Sequence, residues 1–90
     1  MMRRVRIWVS GRVQGVCFRA ATQQQANKLS LTGYVKNLPD GRVEIVAEGS
    51  DSALQKLEDW SHKGPLMAKV ENVITSEIVI TEPFSEFKVK

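Results

Sequence analysis

The sequence predicts an α+β fold in which two helices pack on one face of an antiparallel sheet, with a further short strand at the C-terminal end. Segments with an apolar residue at every second position alternate with segments of helical spacing, in the order strand, helix, strand, strand, helix, strand. Two helices separated by a hairpin favour this arrangement. With 90 residues, 42% of them apolar, we expect a single domain over residues 1–90 with one shared core.

The first strand is predicted from the alternation in Val5–Ser10. The residues expected to face inward are Val5, Ile7 and Val9. The neighbouring arginines are interpreted as solvated residues at the strand terminus, although they could also draw anions toward a nearby site. These arginines are Arg3, Arg4 and Arg6. The segment Gly11–Gly15 interrupts the alternation with two glycines, which predicts a loop.

The first helix is predicted over Cys17–Leu29, where the apolar residues recur at helical spacing. The residues expected to face the core are Phe18, Ala21, Gln25 or Ala26, and Leu29. The residues expected to face solvent are Thr22, Gln23, Gln24 and Lys28. Gly33 ends this unit.

A hairpin is predicted next. Tyr34–Asn37 is a short extended segment, and Leu38–Gly41 is a turn, because proline presets φ and glycine accepts a positive φ. Arg42–Glu48 alternates strictly and forms the second arm. The residues expected to face inward are Val43, Ile45 and Ala47.

The second helix is expected to begin at Ser50 or Asp51, because either side chain can cap a helix N-terminus. Its apolar stripe consists of Ala53, Leu54, Leu57 and Trp60. Gly64–Pro65 is typical of a helix end. The β-branched residues of Val70–Ile80, and then Phe87–Val89, predict the last two strands. This order is that of a ferredoxin-like βαββαβ sandwich, a plan that hosts many unrelated activities.

Composition argues against several classes of function. No apolar run approaches the roughly 20 residues of a membrane span, and no apolar segment of a signal peptide follows the basic N-terminus. Cys17 is the only cysteine, which excludes an internal disulfide and suits a reducing, cytoplasmic setting. With His62 as the only histidine, a dedicated transition-metal site is not expected.

The alternative from a different class is a nucleic-acid-binding module, because RNA-recognition domains share this order of elements and the net charge is +3. Such domains carry stacking aromatic residues in the third strand. Arg42–Glu48 contains no aromatic residue and two acids, so we expect no nucleic-acid partner.

The segment Gly11–Arg19 is the most informative part of the chain, because it leads from a strand through a glycine-containing loop into the first turn of a helix. Helix N-termini carry unpaired N–H groups and partial positive charge, which suit anions. Gly15 lets the backbone approach a ligand, and Arg19 could place a planar charged fork beside a phosphate. Such junctions are also common without this function, so the pattern alone leaves both interpretations open.

The segment G-R-V-Q-G-V-C-F-R resembles the acylphosphatase family, whose signature G-R-V-Q-G-V-x-F-R it matches letter for letter. The similarity continues through Gly33–Asn37, Asp40–Glu44, Glu48–Gly49 and Gly64–Pro65, and it spans nearly all 90 residues. One departure is Ser30, where family members often have glycine. A left-handed Ser30 would cost up to about 1 kcal/mol relative to glycine.

The resemblance implies hydrolysis of acyl phosphates, which are mixed anhydrides of a carboxylic acid and phosphoric acid, without a metal ion or cofactor. It implies that the phosphate is held by the Arg19 guanidinium and by a row of backbone N–H groups. These belong to Gln14, Gly15, Val16, Cys17, Phe18 and Arg19. It also implies that Asn37 positions the attacking water. Without the resemblance, the simpler role for an asparagine at a strand end would be a hydrogen bond within the turn.

The expected partners are a small-molecule acyl phosphate and inorganic phosphate, which would be both product and competitive inhibitor. We expect a monomer in the cytoplasm without membrane contact.

The other reactive or aromatic residues are given structural roles. Thiol phosphatases place their nucleophile six residues before the arginine, where this chain has Val13, so Cys17 is interpreted as a small packing residue. His62 is interpreted as a solvated residue near the end of the second helix. The aromatic residues interpreted as packing groups are Trp8, Tyr34 and Trp60. The acids whose spacing indicates neither acid–base chemistry nor Mg²⁺ binding are Asp40, Glu44 and Glu48.

Overall fold

Within residues 2–90, seven elements form two layers, one of five strands and one of two helices. The computed structural model describes residues 2–90. The strands are β1 (Met2–Arg12), β2 (Thr32–Asn37), β3 (Val43–Ser50), β4 (Lys69–Ile78) and β5 (Phe87–Val89), and the helices are α1 (Phe18–Lys28) and α2 (Asp51–Ser61). Neither helix within residues 2–90 is long and apolar enough to cross a membrane.

The strands lie in the order β4-β1-β3-β2-β5. β1 pairs antiparallel with β3 and β4, and β2 pairs antiparallel with β3. Both helices pack on one face, α1 against β2 and β5 and α2 against β1 and β3. The predicted α+β fold class is therefore confirmed. The short fifth strand pairs parallel with β2, because residues 79–86 carry the chain from the β4 edge of the sheet to the opposite edge.

The core lies between the helices and the sheet. The inward residues predicted for β1 and β3 are all buried, namely Val5, Ile7, Val9, Val43, Ile45 and Ala47. From α2, the buried residues are Ala53, Leu54 and Leu57, and Trp60 packs beside them while half-buried. Removing this apolar surface from water is the main force that holds the two layers together.

The inward line of α1 differs from the prediction at Ala21 and Thr22. Ala21, which was expected to face the core, is only half-buried, because the inward line runs through Phe18, Thr22 and Ala26. Thr22, which was expected to face solvent, is completely buried between Phe18 and Ala26 on the same side of the helix. A buried hydroxyl needs a partner, and Thr22 Oγ1 donates to the Phe18 carbonyl over 2.8 Å. Ser61 of α2 is buried in the same way, with its hydroxyl donating to the Leu57 carbonyl.

The first strand is longer than the predicted Val5–Ser10, because it begins at Met2 and because Gly11 and Arg12 belong to β1 and not to the loop. The pairing with β4 shifts register between Ser10 and Gly11, which is a β-bulge. Gly11 has φ +122°, and a Cβ atom there would clash with the Lys69 carbonyl oxygen. The glycine that suggested a loop is therefore required by close strand packing.

The predicted ends of α2 are confirmed. Ser50 is the N-cap, and its hydroxyl accepts a hydrogen bond from the Ala53 N–H over 3.3 Å. At the other end, Gly64 has φ +69°, and its N–H donates to the Trp60 carbonyl.

The sheet face opposite the helices carries a layer of buried polar groups. Arg4, which was interpreted as solvated, is only 6% exposed and forms an ion pair with Glu48 over 2.7 Å. Its guanidinium also lies 4.2 Å from the centre of the Phe84 ring and donates to the Glu82 carbonyl. Because these partners come from β3 and from the segment before β5, the strand alternation alone could not reveal them.

Glu44 lies at the centre of a second cluster on this face. Its carboxylate accepts hydrogen bonds from Trp8 Nε1 over 2.9 Å and from the Tyr34 hydroxyl over 3.0 Å. Burial alone would raise the pKa of Glu44. The two hydrogen bonds and the positive charges of Lys36 and Arg6 outweigh burial, so the pKa lies below its ordinary value.

The lowered pKa of Glu44 predicts a pH-dependent contribution to stability. The contribution is present above the pKa of Glu44 in the unfolded chain and is lost as the pH falls through the lower pKa of the folded state. We expect Glu44→Gln to lower the free energy of unfolding by about 1–2 kcal/mol at neutral pH. It should also reduce the acid-induced loss of stability below about pH 4. Thermal unfolding at a series of pH values measures both effects, and an unchanged pH profile would contradict this assignment.

The left-handed residue after α1 predicts a stabilising substitution. Ser30 has φ +58°, a conformation that costs a residue with a Cβ atom more than it costs glycine. Ser30→Gly should therefore raise the free energy of unfolding by up to about 1 kcal/mol in urea denaturation. The matched control is Ser52→Gly within α2, which should have the opposite sign because glycine disfavours helix. A loss of stability in Ser30→Gly would contradict the prediction.

Candidate functional site

The candidate site lies in the loop between β1 and α1, at one end of the sheet. β1 and β2 are both antiparallel to β3, so the carboxyl ends of these two strands lie at the same end of the sheet. The loop, residues 13–17, follows the end of β1, and Asn37 is the last residue of β2. The sheet topology therefore brings together two segments that are distant in sequence.

The backbone of the loop alternates in hand. Gly15 has φ +75° and Cys17 has φ +64°, whereas Val16 between them has no positive φ. Such alternation curves the chain so that successive N–H groups can face a common concavity, which is a known way to bind anions. A Cβ atom on Gly15 would meet open space, so φ and not crowding explains the glycine.

The loop is fixed by alternate side chains. Val16 and Phe18 are buried in the core, and the Phe18 ring lies 5.4 Å from that of Trp60 and directly against Gly64. Cys17, which was interpreted as a packing residue, is instead exposed. The reason is that its two neighbours take the inward positions and Cys17 itself is the left-handed N-cap of α1.

The backbone N–H groups around this loop lack hydrogen-bond partners in the described part of the chain. Within residues 2–90, the N–H groups of residues 14–19 donate to no backbone carbonyl and to no side chain. The first N–H group of the helix to find a carbonyl is that of Ala21, which donates to Cys17 over 3.1 Å. The six donors of residues 14–19, followed by that of Ala20, therefore remain available at the positive end of the α1 dipole.

A cavity of about 310 Å³ opens beside these donors. It is lined by Val13, Gly15, Cys17, Phe18, Arg19 and Asn37. Four of the six residues predicted to bind phosphate therefore share one cavity with Asn37. These four are Gly15, Cys17, Phe18 and Arg19. The other two, Gln14 and Val16, do not line it, because the Val16 side chain packs in the core and that of Gln14 turns toward the β2–β3 hairpin. Val13 also lines the cavity, although no sequence pattern had selected it.

Arg19 lies in the first turn of α1 and is half-buried. Its Nη1 donates to the Lys90 carbonyl oxygen over 2.8 Å, so the chain just beyond β5 restrains the guanidinium. The sequence did not indicate Lys90, because its proximity depends on the parallel pairing of β5 with β2.

The Asn37 side chain is not committed to a hydrogen bond within residues 2–90. Its Oδ1 is buried and accepts no hydrogen bond from any of residues 2–90. The neighbouring turn is closed by other groups, namely the Leu38 N–H, which donates to the Arg42 carbonyl, and the Asp40 carboxylate, which accepts from the Arg42 side chain. A turn hydrogen bond accepted by Oδ1, the simpler role considered for this residue, is therefore not formed.

The arrangement can bind an anion and orient a polar molecule beside it. The donors are the loop N–H groups and the Arg19 guanidinium, and the Asn37 amide lies on the same cavity. No group of three or more His, Cys, Asp or Glu side chains that could hold a metal ion occurs in the described part of the chain.

Comparison with known proteins identifies the family. The sequence model of the acylphosphatase family matches residues 5–89. An acylphosphatase of Marinobacter nauticus is 54% identical over 80 residues, which are 89% of this chain and 87% of the relative. An acylphosphatase of Methylococcus capsulatus is 48% identical over 88 residues, which are 98% of this chain and 96% of the relative. The structure of a Coxiella burnetii acylphosphatase superposes with a TM-score of 0.95 at 44% identity and covers 99% of this chain and 93% of that one. This chain therefore belongs to the acylphosphatase family.

Proposed function

We propose that this chain hydrolyses acyl phosphates to a carboxylate and inorganic phosphate. The main support is the row of six backbone N–H groups at residues 14–19, which have no partner among residues 2–90 and lie beside a cavity lined by Arg19 and Asn37. Membership of the acylphosphatase family supports the same reaction.

In this proposal, the loop N–H groups and the Arg19 guanidinium hold the phosphoryl oxygens. Phosphoryl transfer depends chiefly on positioning and on stabilising negative charge. Donors that are fixed before the substrate arrives need not reorganise during the reaction, so they act most strongly on the transition state. The bond from Arg19 to the Lys90 carbonyl and the burial of Val16 and Phe18 provide this fixation.

The leaving group needs little help. A carboxylate has a conjugate acid with a pKa of about 4, so it departs at neutral pH without a general acid. The bond between phosphorus and the carboxylate oxygen breaks as the bond to the water oxygen forms. Because the carboxylate leaves without protonation, the site can perform the reaction without an acid–base pair.

Asn37 is assigned to the attacking water. The Asn37 amide lines the same cavity and carries both a donor and an acceptor, so it can bind the water and restrict the directions from which the water approaches phosphorus. An amide cannot take up a proton near neutral pH, so we assign the proton to a phosphoryl oxygen of the substrate.

The proposed mechanism uses no metal ion or cofactor, and we propose that the chain acts as a cytoplasmic monomer. Its single cysteine, Cys17, suits a reducing compartment. A nucleic-acid partner is not proposed, because β3 presents Glu44, Val46 and Glu48 on the face away from the helices, where RNA-recognition domains carry aromatic residues.

The direct test is hydrolysis of benzoyl phosphate by the purified chain in the presence of EDTA. We expect turnover far above the rate in buffer, because the site would need only its own donors and one water. A rate equal to that of buffer would reject the proposed function.

Substitutions at the two proposed catalytic residues should have different effects. Arg19→Ala should weaken phosphate binding and lower kcat by about 100-fold or more, because it removes a charged donor. Asn37→Ala should lower kcat by a similar factor of about 100-fold and change phosphate binding little, because it removes only the group that positions the water. Steady-state kinetics and phosphate binding by calorimetry measure both effects.

Matched controls use the same residue types outside the cavity. Arg12→Ala removes an exposed arginine at the end of β1, and Asn27→Ala removes an exposed asparagine of α1. Both should retain near wild-type kinetics. If Asn37→Ala also kept its kcat, the role assigned to Asn37 would be wrong.

Inorganic phosphate should inhibit competitively and raise the melting temperature. A ligand that binds only the folded state stabilises it according to its concentration relative to its Kd. The rise should be absent with chloride at equal ionic strength and reduced in Arg19→Ala. If phosphate left the melting temperature unchanged, the loop could not be an anion site.

A further inference from the structure

The Gln14 side chain joins the anion-binding loop to the turn that follows Asn37. Gln14 Nε2 donates to the Leu38 carbonyl over 2.9 Å and to the Arg42 carbonyl over 3.0 Å. We call this pair of hydrogen bonds the Gln14 tether. Both donor hydrogens of the amide are used, so the tether fixes the turn in direction as well as in distance.

Asn37 depends on its backbone for its position. Its Oδ1 accepts no hydrogen bond from residues 2–90, so no such bond orients the amide. The chain immediately after it is held by the Leu38 N–H, which donates to the Arg42 carbonyl over 2.8 Å, and by the Gln14 tether. Within residues 2–90, the tether supplies the only side-chain hydrogen bonds between the loop of residues 13–17 and the turn of residues 38–42.

The loop itself does not depend on the tether in the same way. Val16 and Phe18 anchor it in the core, and positive φ angles at Gly15 and Cys17 shape the row of N–H groups. Loss of the tether should therefore leave the anion site intact and free the turn to move relative to it.

We propose that Gln14 is a positioning residue, whose side chain sets the place of Asn37 relative to the phosphorus atom held by the loop. The inference rests on the proposed function. Attack on phosphorus requires the water in line with the departing oxygen, and a displacement of about 1 Å can cost about 100-fold in rate. The tether spans the two segments whose separation determines that alignment.

The test is a double-mutant cycle with Gln14→Leu and Asn37→Ala, read out by kcat on benzoyl phosphate and by the Kd of inorganic phosphate. Gln14→Leu alone should lower kcat by about 10- to 100-fold with a much smaller change in the phosphate Kd. In the Asn37→Ala background, the same change should lower the remaining kcat by no more than about threefold, because its effect acts through Asn37.

A second variant and a control separate positioning from stability. Gln14→Asn keeps the amide but is one methylene shorter, so it should show the same loss of kcat and remains informative if Gln14→Leu does not fold. Gln55 lies on the exposed face of α2. Gln55→Gly should lower the melting temperature without changing kcat, because glycine disfavours helix.

Three outcomes would overturn the inference. If the effects on kcat multiplied in the double mutant, Gln14 would not act through Asn37. If the phosphate Kd rose as much as kcat fell, the side chain would shape the anion site itself. An inactive wild-type chain would reject the proposed function and this inference together, whereas either other outcome in an active enzyme would reject the inference alone.

Discussion

The backbone N–H groups of residues 14–19, which find no partner within residues 2–90, are the feature around which the site is built. Buried amides without partners are costly, so a folded chain keeps such a row only where solvent or a ligand can reach it. Here the row of N–H groups borders an open cavity. Some of the side chains of this segment pack in the core and others face solvent. The buried side chains of Val16 and Phe18 anchor the loop in the core, and the left-handed conformations of Gly15 and Cys17 give the loop its curvature.

The sheet topology assembles the other parts of the site around this row. Because β1, β2 and β5 run in the same direction, their carboxyl ends lie at one end of the sheet. The loop after β1, Asn37 at the end of β2 and Lys90 just beyond β5 all lie at that end. Arg19 is thus restrained by the last segment of the chain, and Asn37 by the turn to which Gln14 is bonded. A small domain can in this way fix three distant segments without a large core.

Much of the fold was predictable, because alternation and helical spacing are local signals. The inward residues of β1 and β3 and the cap at Ser50 follow from such signals. Two of the errors, at Thr22 and Arg4, concern polar residues whose environment depends on partners that periodicity does not show. Thr22 is buried because its hydroxyl bonds to the preceding turn, and Arg4 is buried because Glu48 lies opposite on β3. In the site, the loop and arginine could be selected from their pattern, but only the family resemblance pointed to Asn37. No sequence signal placed the Lys90 carbonyl or gave the direction of the Gln14 side chain.

Nuclear magnetic resonance of the ¹⁵N-labelled chain titrated with inorganic phosphate shows whether this row of N–H groups binds an anion. If the free N–H groups of residues 14–19 bind the anion, their proton resonances should move downfield together with one saturating dependence on phosphate, because each gains a charge-assisted hydrogen bond. Resonances of the exposed face of α2 should not move. Shifts confined to other basic surfaces, with the loop resonances unchanged at saturation, would contradict the account.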